Sequence, residues 1–244
     1  MKEIKPYGDT LNDGIIQLAF TLPIENSGRA KKAAEIYASK LNLEKVEVVH
    51  AKKIGENFTY FVVYARAIPV LDYDKIKVKE LKITEMDFYQ INEYIKTKIK
   101  RPITVVGATI GSDAHTVGID AIMNMKGYNM NYGLERYPEI NTYNLGAQVP
   151  CDQLFQKSME VKADAILISQ TVLQKDAHIA NFNEFNNLLK KEKVRDKFIL
   201  LAGGPRITND FAEKIGYDAG FGAGTLPSQV ASFIALKIFE KQEK

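Results

Sequence analysis

The second half of the chain alternates short apolar runs with longer amphipathic stretches, and this alternation constrains the fold more than any other feature. The candidate strands are residues 103–108, 143–148, 163–169, 197–204 and 217–224. Helical stretches begin after Asp113 and cover 151–162, 176–193, 207–215 and 226–241. Parallel strands need long crossover connections, which helices usually supply. The pattern therefore predicts an α/β fold with five parallel strands, helices on both faces and the doubly wound, flavodoxin-like order.

The first part of the chain has a different pattern. Residues 14–23 alternate apolar and polar side chains, as a strand with one buried face does. A helix capped by Asn26 or Ser27 follows, and residues 46–54 and 58–67 then flank a turn in the manner of a β-hairpin. This order predicts a small α+β (β-α-β-β) domain. Its strand edge is either exposed, which would suit pairing with another chain, or covered.

We therefore expect three segments. Residues 1–82 form the small α+β domain, with an oligomerisation or subunit-contact role. Residues 83–100 form a connecting helix that opens with a Thr84…Asp87 capping pattern. Residues 101–244 form the larger, Rossmann-like domain.

Composition excludes several classes of site. The chain has one cysteine, Cys151, and three histidines, His50, His115 and His178. A single cysteine cannot form an internal disulfide or a multi-cysteine metal site. A metal held mainly by another group, with one histidine completing its coordination, remains possible. His50 lies in a strand and is interpreted as a surface or interface residue.

Charge and hydropathy point to a cytoplasmic protein. The net charge is only +3, so no strong attraction to nucleic acid or acidic membranes is expected. The amino-terminal residues are charged and lack the apolar core of a signal peptide. No apolar run approaches the roughly 18 residues that a spanning helix needs.

Small and hydroxyl-bearing residues follow three of the predicted strands. They are Ser169-Gln170-Thr171, Gly203-Gly204-Pro205 and Gly222-Ala223-Gly224-Thr225. In doubly wound sheets the ligand lies at the carboxyl ends of the strands, where such residues let the backbone approach it closely. Their amides and hydroxyls also suit phosphates or ring nitrogens.

The loop after the predicted strand at residues 103–108 carries the sequence Asp113-Ala114-His115-Thr116-Val117-Gly118, or D-x-H-x-x-G. Together with the later Ser169 and Gly203-Gly204, this motif resembles the cobalamin-binding domains in which a histidine replaces the cofactor's own base. The resemblance covers about residues 101–244. Two departures are visible. Thr171 stands where leucine is common, and the spacing from Gly118 to Ser169 is longer than usual.

This resemblance implies specific roles. His115 would be the lower axial ligand of cobalt, and Asp113 would accept its other ring N–H. Ser169 would donate to the dimethylbenzimidazole, and Gly118 would leave room for the nucleotide tail. The residues expected at cobalamin are Ser112, Asp113, His115, Thr116, Val117, Gly118, Ser169, Thr171, Gly203, Gly204, Gly222, Gly224 and Thr225. The alternative for His115 is an exposed histidine at a helix entry, capped by Asp113.

Residues 124–155, beginning NMKGYNMNYG, resemble the small subunits of the lysine 5,6-aminomutases. That family depends on adenosylcobalamin and pyridoxal 5′-phosphate. The resemblance implies that Lys126 is the Schiff-base lysine, and that a large α subunit with a barrel fold completes an α2β2 assembly. The implied reaction is a radical 1,2-shift that moves the terminal amino group of D-lysine or L-β-lysine from position 6 to position 5.

Lys126 itself is expected near the end of a helix broken by Gly127. Its nucleophilic form is neutral, which partial burial favours. The alternative is a solvated lysine at a helix carboxyl terminus. Nearby residues are placed close to the partner without individual roles: Tyr128, Asn129, Asn131, Tyr132, Glu135 and Arg136. No separate phosphate site or carboxylate for the pyridine nitrogen is evident, which assigns those groups to the partner.

Three alternatives remain open. One is a corrinoid carrier for methyl transfer, which typically has a helical-bundle cap and no use for Lys126. A second is the cobalamin module of an ornithine 4,5-aminomutase-like enzyme, where this region is fused to the large chain. The third is a flavodoxin-like binding domain without cobalamin, which would leave His115, Ser169 and the glycine pair unexplained.

Overall fold

The computed structural model describes residues 2–8, 12–77, 81–172 and 176–243. By internal contacts the chain divides into two units, Met1–Val78 and Lys79–Lys244. The elements of the first unit are β1 (Glu3–Ile4), β2 (Ile15–Leu22), α1 (Gly28–Ser39), β3 (Leu43–Gly55), β4 (Phe58–Ala67) and β5 (Leu71–Asp72).

The first unit is a three-stranded antiparallel sheet covered on one face by α1. The strand order is β2-β4-β3. Ser27 caps α1 by accepting a hydrogen bond from the backbone N–H of Ala30, and Ala34 packs against Phe61 and Val63. The β-α-β-β prediction is confirmed. The structure adds a short antiparallel pair, β1 with β5, which was not predicted.

The second unit is built around a five-stranded sheet. Its elements are α2 (Phe88–Tyr94), β6 (Ile103–Thr109), α3 (Val117–Met123), β7 (Ile140–Asn144), α4 (Cys151–Glu160), β8 (Ala165–Ser169), α5 (Ala177–Lys191), β9 (Ile199–Gly203), α6 (Asn209–Lys214), β10 (Ala219–Phe221) and α7 (Pro227–Gln242). The strands are all parallel and lie in the order β10-β9-β8-β6-β7. In chain order this is 2-1-3-4-5, and the flavodoxin-like prediction is confirmed.

Both faces of this sheet are buried. One face packs under α2, α3 and α7, with Ile91, Met123 and Ile234 fully buried. The other face packs under α4, α5 and α6, with Leu154 and Phe182 fully buried. Two covered faces explain why the strands read as continuous apolar runs rather than as alternating ones.

Two predicted boundaries were wrong. The connecting helix begins at Phe88 rather than at residue 83, because Asp87 and Gln90 form the capping box that Thr84 and Asp87 were expected to make. It then continues as a π-helical turn over Ile95–Ile99. The second strand of the sheet is Ile140–Asn144 rather than 143–148, because its pairing with β6 begins at Ile140.

Candidate functional site

The candidate site lies at the carboxyl edge of the parallel sheet. The chain order reverses at β6, whose neighbours are β7 and β8, and ligands bind near such switch points. A cavity of about 210 Å³ opens there. Its lining includes Tyr128 and eight of the residues predicted to bind cobalamin, namely Val117, Gly118, Ser169, Gly203, Gly204, Gly222, Gly224 and Thr225.

Asp113 and His115 form a preorganised pair in the loop between β6 and α3. Asp113 is only 1% exposed, whereas the His115 side chain is 57% exposed. His115 Nδ1 lies 2.8 Å from Asp113 Oδ1, which also accepts the His115 backbone N–H at 3.0 Å. Asp113 therefore fixes both the backbone and the ring of the histidine.

The second carboxylate oxygen of Asp113 is held from the far side. Asp113 Oδ2 accepts the backbone N–H groups of Thr171 and Val172 at 2.5 and 2.9 Å. Burial raises the pKa of Asp113. The hydrogen bonds from Val172, Thr171 and His115 outweigh that effect, so the pKa lies below its ordinary value. The carboxylate stays ionised next to the imidazole.

An ionised carboxylate can only accept, so the histidine must carry its proton on Nδ1. In the neutral ring the Nε2 lone pair is then free, on a side chain that is more than half exposed. Neutral imidazole with a carboxylate on its other nitrogen is the usual state of a metal-ligating histidine, and the carboxylate raises its basicity. These donors fit a cobalt ion that lacks one axial ligand.

Two glycines keep the cavity open where the prediction required space. A Cβ on Gly118 would lie 2.6 Å from Ser169 Oγ, so a side chain there would fill the gap between α3 and β8. Gly204 has φ +152°, and a Cβ there would lie 2.1 Å from the carbonyl oxygen of Gln170. Cavity, glycines and buried Ser169 together fit a flat apolar group with a ring nitrogen.

The remaining predicted cobalamin residues have different surroundings. Thr171 contributes its backbone N–H to Asp113, and Thr225 donates its hydroxyl to the carbonyl of Gly222 at 2.8 Å. Ser112 is exposed, and Thr116 precedes α3 without a side-chain capping bond. Val117 is 79% exposed at the start of that helix.

Lys126 lies beyond the end of α3, and the prediction that Gly127 would end the helix was wrong. The helix ends at Met123, and the backbone N–H of Gly127 closes a turn onto Asn124 at 2.8 Å. The Lys126 side chain is exposed. In this chain by itself, the expected partial burial of the lysine is therefore absent.

The segment after Lys126 is a tight hairpin. Tyr128 and Asn131 exchange backbone hydrogen bonds at 3.0 and 2.9 Å. Asn129 and Met130 between them have φ values of 49° and 58°, the left-handed pair typical of a type I′ turn. The side chain of Met130 at the tip is fully exposed.

The hairpin is anchored to the start of α7. Asn131 accepts the backbone N–H of Ser228 through Oδ1 at 2.9 Å and donates through Nδ2 to Ser228 Oγ at 3.2 Å. Glu135 accepts the backbone N–H of Met125 at 2.9 Å. Hydrogen bonds therefore fix the backbone of the segment that carries Lys126, residues 124–133.

Side-chain contacts of nearby residues also stabilise this segment. The Arg136 guanidinium lies 4.0 Å from the centre of the Tyr132 ring, a cation–π contact. The Tyr132 ring also meets Phe88 edge-on at 5.3 Å. These contacts account for Asn131, Tyr132, Glu135 and Arg136 within this chain, whereas Tyr128 lines the cavity.

Sequence reasoning missed two amide side chains, Gln170 and the half-buried Asn181. Gln170 is buried and donates through Nε2 to the carbonyl of Ile110 at 2.9 Å, and Asn181 donates to Gln170 Oε1 at 2.8 Å. Neither belongs to a motif. The only available signal was the position of Gln170 between Ser169 and Thr171.

Two other features, a protein-built metal cluster and a membrane-spanning helix, are absent from the described parts of the chain. Within them, no cluster of three or more histidine, cysteine, aspartate or glutamate side chains could hold a metal ion. A helix long and apolar enough to cross a bilayer is likewise absent from residues 2–8, 12–77, 81–172 and 176–243.

Comparisons with known proteins agree with this geometry. The family model described as the B12 binding domain matches residues 103–231, and the dimerisation domain of D-ornithine 4,5-aminomutase matches residues 3–80. The lysine 5,6-aminomutase beta subunit of Acetoanaerobium sticklandii is 50% identical over 233 residues, which cover 96% of this chain and 89% of that protein.

Two further relatives extend the comparison. The lysine 5,6-aminomutase beta subunit of Fusobacterium nucleatum is 47% identical over 241 residues, 99% of this chain and 92% of that one. The D-ornithine 4,5-aminomutase subunit beta of Acetoanaerobium sticklandii is 33% identical over 98% of this chain, but only 31% of its own length is covered.

Proposed function

The chain belongs to the family of lysine 5,6-aminomutase beta subunits, and from this premise we propose how its residues serve the reaction. The protein acts as the cobalamin-binding subunit of an isomerase that moves the terminal amino group of D-lysine or L-β-lysine to the adjacent carbon. It works with a large α subunit of barrel fold in an α2β2 assembly, whose contacts include residues 1–82.

The observation that carries the proposal is the Asp113–His115 pair beside the cavity. His115 would hold the cobalt of cobalamin through Nε2, while Asp113 fixes the ring by its contact with Nδ1. Bound adenosylcobalamin supplies the carbon radical that removes and returns a hydrogen atom. The histidine needs no proton transfer for this role; it orients the cofactor.

The cavity accounts for the displaced nucleotide tail. Gly118 and Gly204 leave the space, and Ser169, which lines the cavity, would donate its hydroxyl to a ring nitrogen of the tail. Gly203, Gly222 and Gly224 line the path, with Thr225 at its end toward the phosphate or ribose. Ser112, Thr116, Val117 and Thr171 are near His115 or its partner Asp113 in the chain or through hydrogen bonds, and they would contact the rest of the cofactor. The apolar walls exclude water from the tail.

Lys126 serves the second cofactor. Lys126 is the residue of this chain that would hold pyridoxal phosphate covalently, and that cofactor would supply the activation of the migrating amino group. The anchored hairpin holds Lys126 at a fixed place, and its exposed side chain can reach a cofactor on another subunit. The remaining groups for the phosphate, the ring and the amino acid belong to the partner.

The length of the relatives favours the lysine enzyme over the ornithine one. This chain covers about nine-tenths of both lysine 5,6-aminomutase beta subunits but under a third of the ornithine enzyme subunit. A methyl-transfer carrier would give no use to the anchored loop around Lys126.

The test uses the chain co-expressed with the large subunit and loaded with both cofactors. D-Lysine, L-β-lysine and D-ornithine are supplied separately, and the isomeric diamino acids are quantified by mass spectrometry. Borohydride reduction of the resting complex, followed by peptide mapping, identifies the residue linked to pyridoxal phosphate.

We expect turnover of a lysine isomer, and label on Lys126 only. Turnover of ornithine alone would overturn the substrate assignment. Cobalamin binding without label at Lys126 would support the methyl-transfer carrier instead. The His115→Ala and Lys126→Ala variants, each tested separately, show whether both residues are required.

A further inference from the structure

We propose that Gln170 and Asn181 are positioning residues that hold the histidine loop, residues 110–116, in the conformation that ligates cobalt. The inference rests on the proposed function, because it assumes that His115 meets cobalamin. Neither side chain lines the cavity. They act through the backbone of the loop and through the segment that binds Asp113.

The hydrogen bonds of Gln170 have a fixed direction. The carbonyl of Ile110 can only accept, so the group of Gln170 that faces it at 2.9 Å must be Nε2. Oε1 of Gln170 then points the other way and must receive a donor. Asn181 supplies that donor through Nδ2 at 2.8 Å. These two hydrogen bonds, from Asn181 to Gln170 and from Gln170 to Ile110, are called the relay. Both donate in the same direction, from α5 toward the histidine loop.

The relay ends at the start of the histidine loop. Ile110 is the first residue of the histidine loop, directly after β6. Gly111 follows with φ +69°, and a Cβ there would lie 2.8 Å from the Asn181 side chain. Asn181 therefore packs on the loop backbone while its amide controls Gln170.

The relay is also connected to the carboxylate of Asp113. Gln170 is immediately followed by Thr171 and Val172, whose N–H groups hold Asp113 Oδ2. A shift of Gln170 would move these two donors as well as Ile110. One buried side chain thus fixes the loop at its start and at the residue that orients His115.

The other side of the loop is fixed independently. Gln148 donates its backbone N–H to the carbonyl of Asp113 at 3.1 Å, and Gly111 donates to Val149 at 3.2 Å. The loop therefore stays folded when the relay is broken, and what changes is the aim of Asp113 and His115. This separates positioning from folding.

Asn181→Asp breaks the relay with a minimal change of shape. A carboxylate cannot donate to Gln170 Oε1, so the Gln170 amide turns to donate toward residue 181 and presents its oxygen to the carbonyl of Ile110. Two acceptors then face each other in a buried site. Gln170→Met removes both hydrogen bonds at similar side-chain volume. Asn187→Asp makes the same chemical change at an exposed position on the same helix and is the matched control.

The readout is cob(II)alamin bound to the full chain in complex with the large subunit, at a fixed neutral pH. Electron paramagnetic resonance shows the nuclear coupling of the axial nitrogen. Labelling histidine with ¹⁵N distinguishes protein ligation from ligation by the cofactor's own base. Affinity is measured by titration, and thermal melting of the complex without cobalamin reports folding.

For Asn181→Asp and Gln170→Met we expect about tenfold weaker binding, the low end for groups that support a metal ligand. The fraction showing the ¹⁵N-histidine coupling should also fall, while Asn187→Asp matches wild type. A wild-type coupling in both relay variants would overturn the proposal, and so would weaker binding with an intact coupling. A His115→Ala variant whose coupling matches wild type would instead overturn the proposed ligand.

Discussion

The two loops that flank α3 are built in opposite ways. The histidine loop, residues 110–116, is organised around a buried residue: Asp113 is buried and receives donors from three residues, and the His115 ring that it holds is more than half exposed. The lysine loop, residues 124–133, is turned outward. Its backbone is anchored, but Lys126 and Met130 are exposed.

The difference teaches how the work is divided between subunits. The histidine loop holds the ring of its side chain through Asp113, which accepts the Nδ1 proton. The lysine loop supplies an anchored backbone and an exposed amine, whose surroundings belong to another chain under the proposed function. Under the proposed function, the cobalamin site around His115 is therefore largely formed by this chain. The pyridoxal phosphate site around Lys126 is formed by it only in part.

The largest effect is expected from Lys126→Ala. Turnover of the assembled enzyme and borohydride-dependent labelling should both be lost, because no other residue of the lysine loop can form the covalent link. Cobalamin affinity should match wild type, since the histidine loop makes no use of Lys126. The measurements are the amine-shift assay and spectroscopic cobalamin titration of the same preparation. Retained label would contradict the division between the loops.

Asp113→Asn tests the histidine loop. In either orientation the amide presents its NH₂ group to N–H donors, those of His115 or those of Thr171 and Val172, so one side of the site loses its acceptor. Cobalamin affinity should fall by about 10- to 100-fold. The free energy of unfolding should fall by roughly 1–3 kcal/mol, because buried donors lose their partner. Titration and urea unfolding measure the two effects, and label on Lys126 should persist.

The same variant gives a pH signature. The pKa of Asp113 is lower in the folded protein than its ordinary value of about 3.9. The stability that the ionised carboxylate contributes is therefore present above that value and is lost as pH falls through the lower folded-state pKa. Wild type should lose stability there more steeply than Asp113→Asn in acid urea titrations. Identical slopes would contradict the assignment.

Gly127→Ala tests the outward loop. Gly127 has φ +68°, and a Cβ there would lie 1.9 Å from the carbonyl oxygen of Asn131. The hairpin must distort, at a cost of about 1–3 kcal/mol, and labelling of Lys126 should slow while cobalamin binding stays unchanged. Asn129→Gly is the control, because glycine accepts the positive φ at that position. An unaffected labelling rate in Gly127→Ala would show that the anchored backbone is not required.

Gly118→Ala has the smallest expected effect. The new methyl group would lie 2.6 Å from Ser169 Oγ, and α3 or the serine must shift by a fraction of an ångström. Overpacking of this kind costs about 1–3 kcal/mol, part of which α3 can relieve by moving. Binding of complete cobalamin should weaken more than binding of a cobinamide that lacks the nucleotide tail. Gly28→Ala, where nothing lies within 4 Å of the added Cβ, serves as the folding control.

The fold was largely predictable because burial on both faces leaves continuous apolar runs, as in Ile103–Thr109 and Ala165–Ser169. The Asp113–His115 contact was predictable too, because the resemblance of D-x-H-x-x-G to cobalamin-binding domains implied it. The lysine hairpin was not, because Met130 adopts a positive φ that its residue type does not favour. The Gln170–Asn181 relay joins elements whose contact depends on tertiary packing, so no local pattern carried it.

Cys151 has a consequence for a reaction that passes through carbon radicals. A thiol is an efficient hydrogen-atom donor and would quench such a species on contact. The single sulfhydryl of this chain starts α4, on the face of the sheet opposite α3 and α7, and burial there raises its pKa to about 12. The sheet thus keeps the most easily oxidised S–H bond of the subunit away from the short-lived chemistry and also leaves it unreactive toward electrophiles at neutral pH.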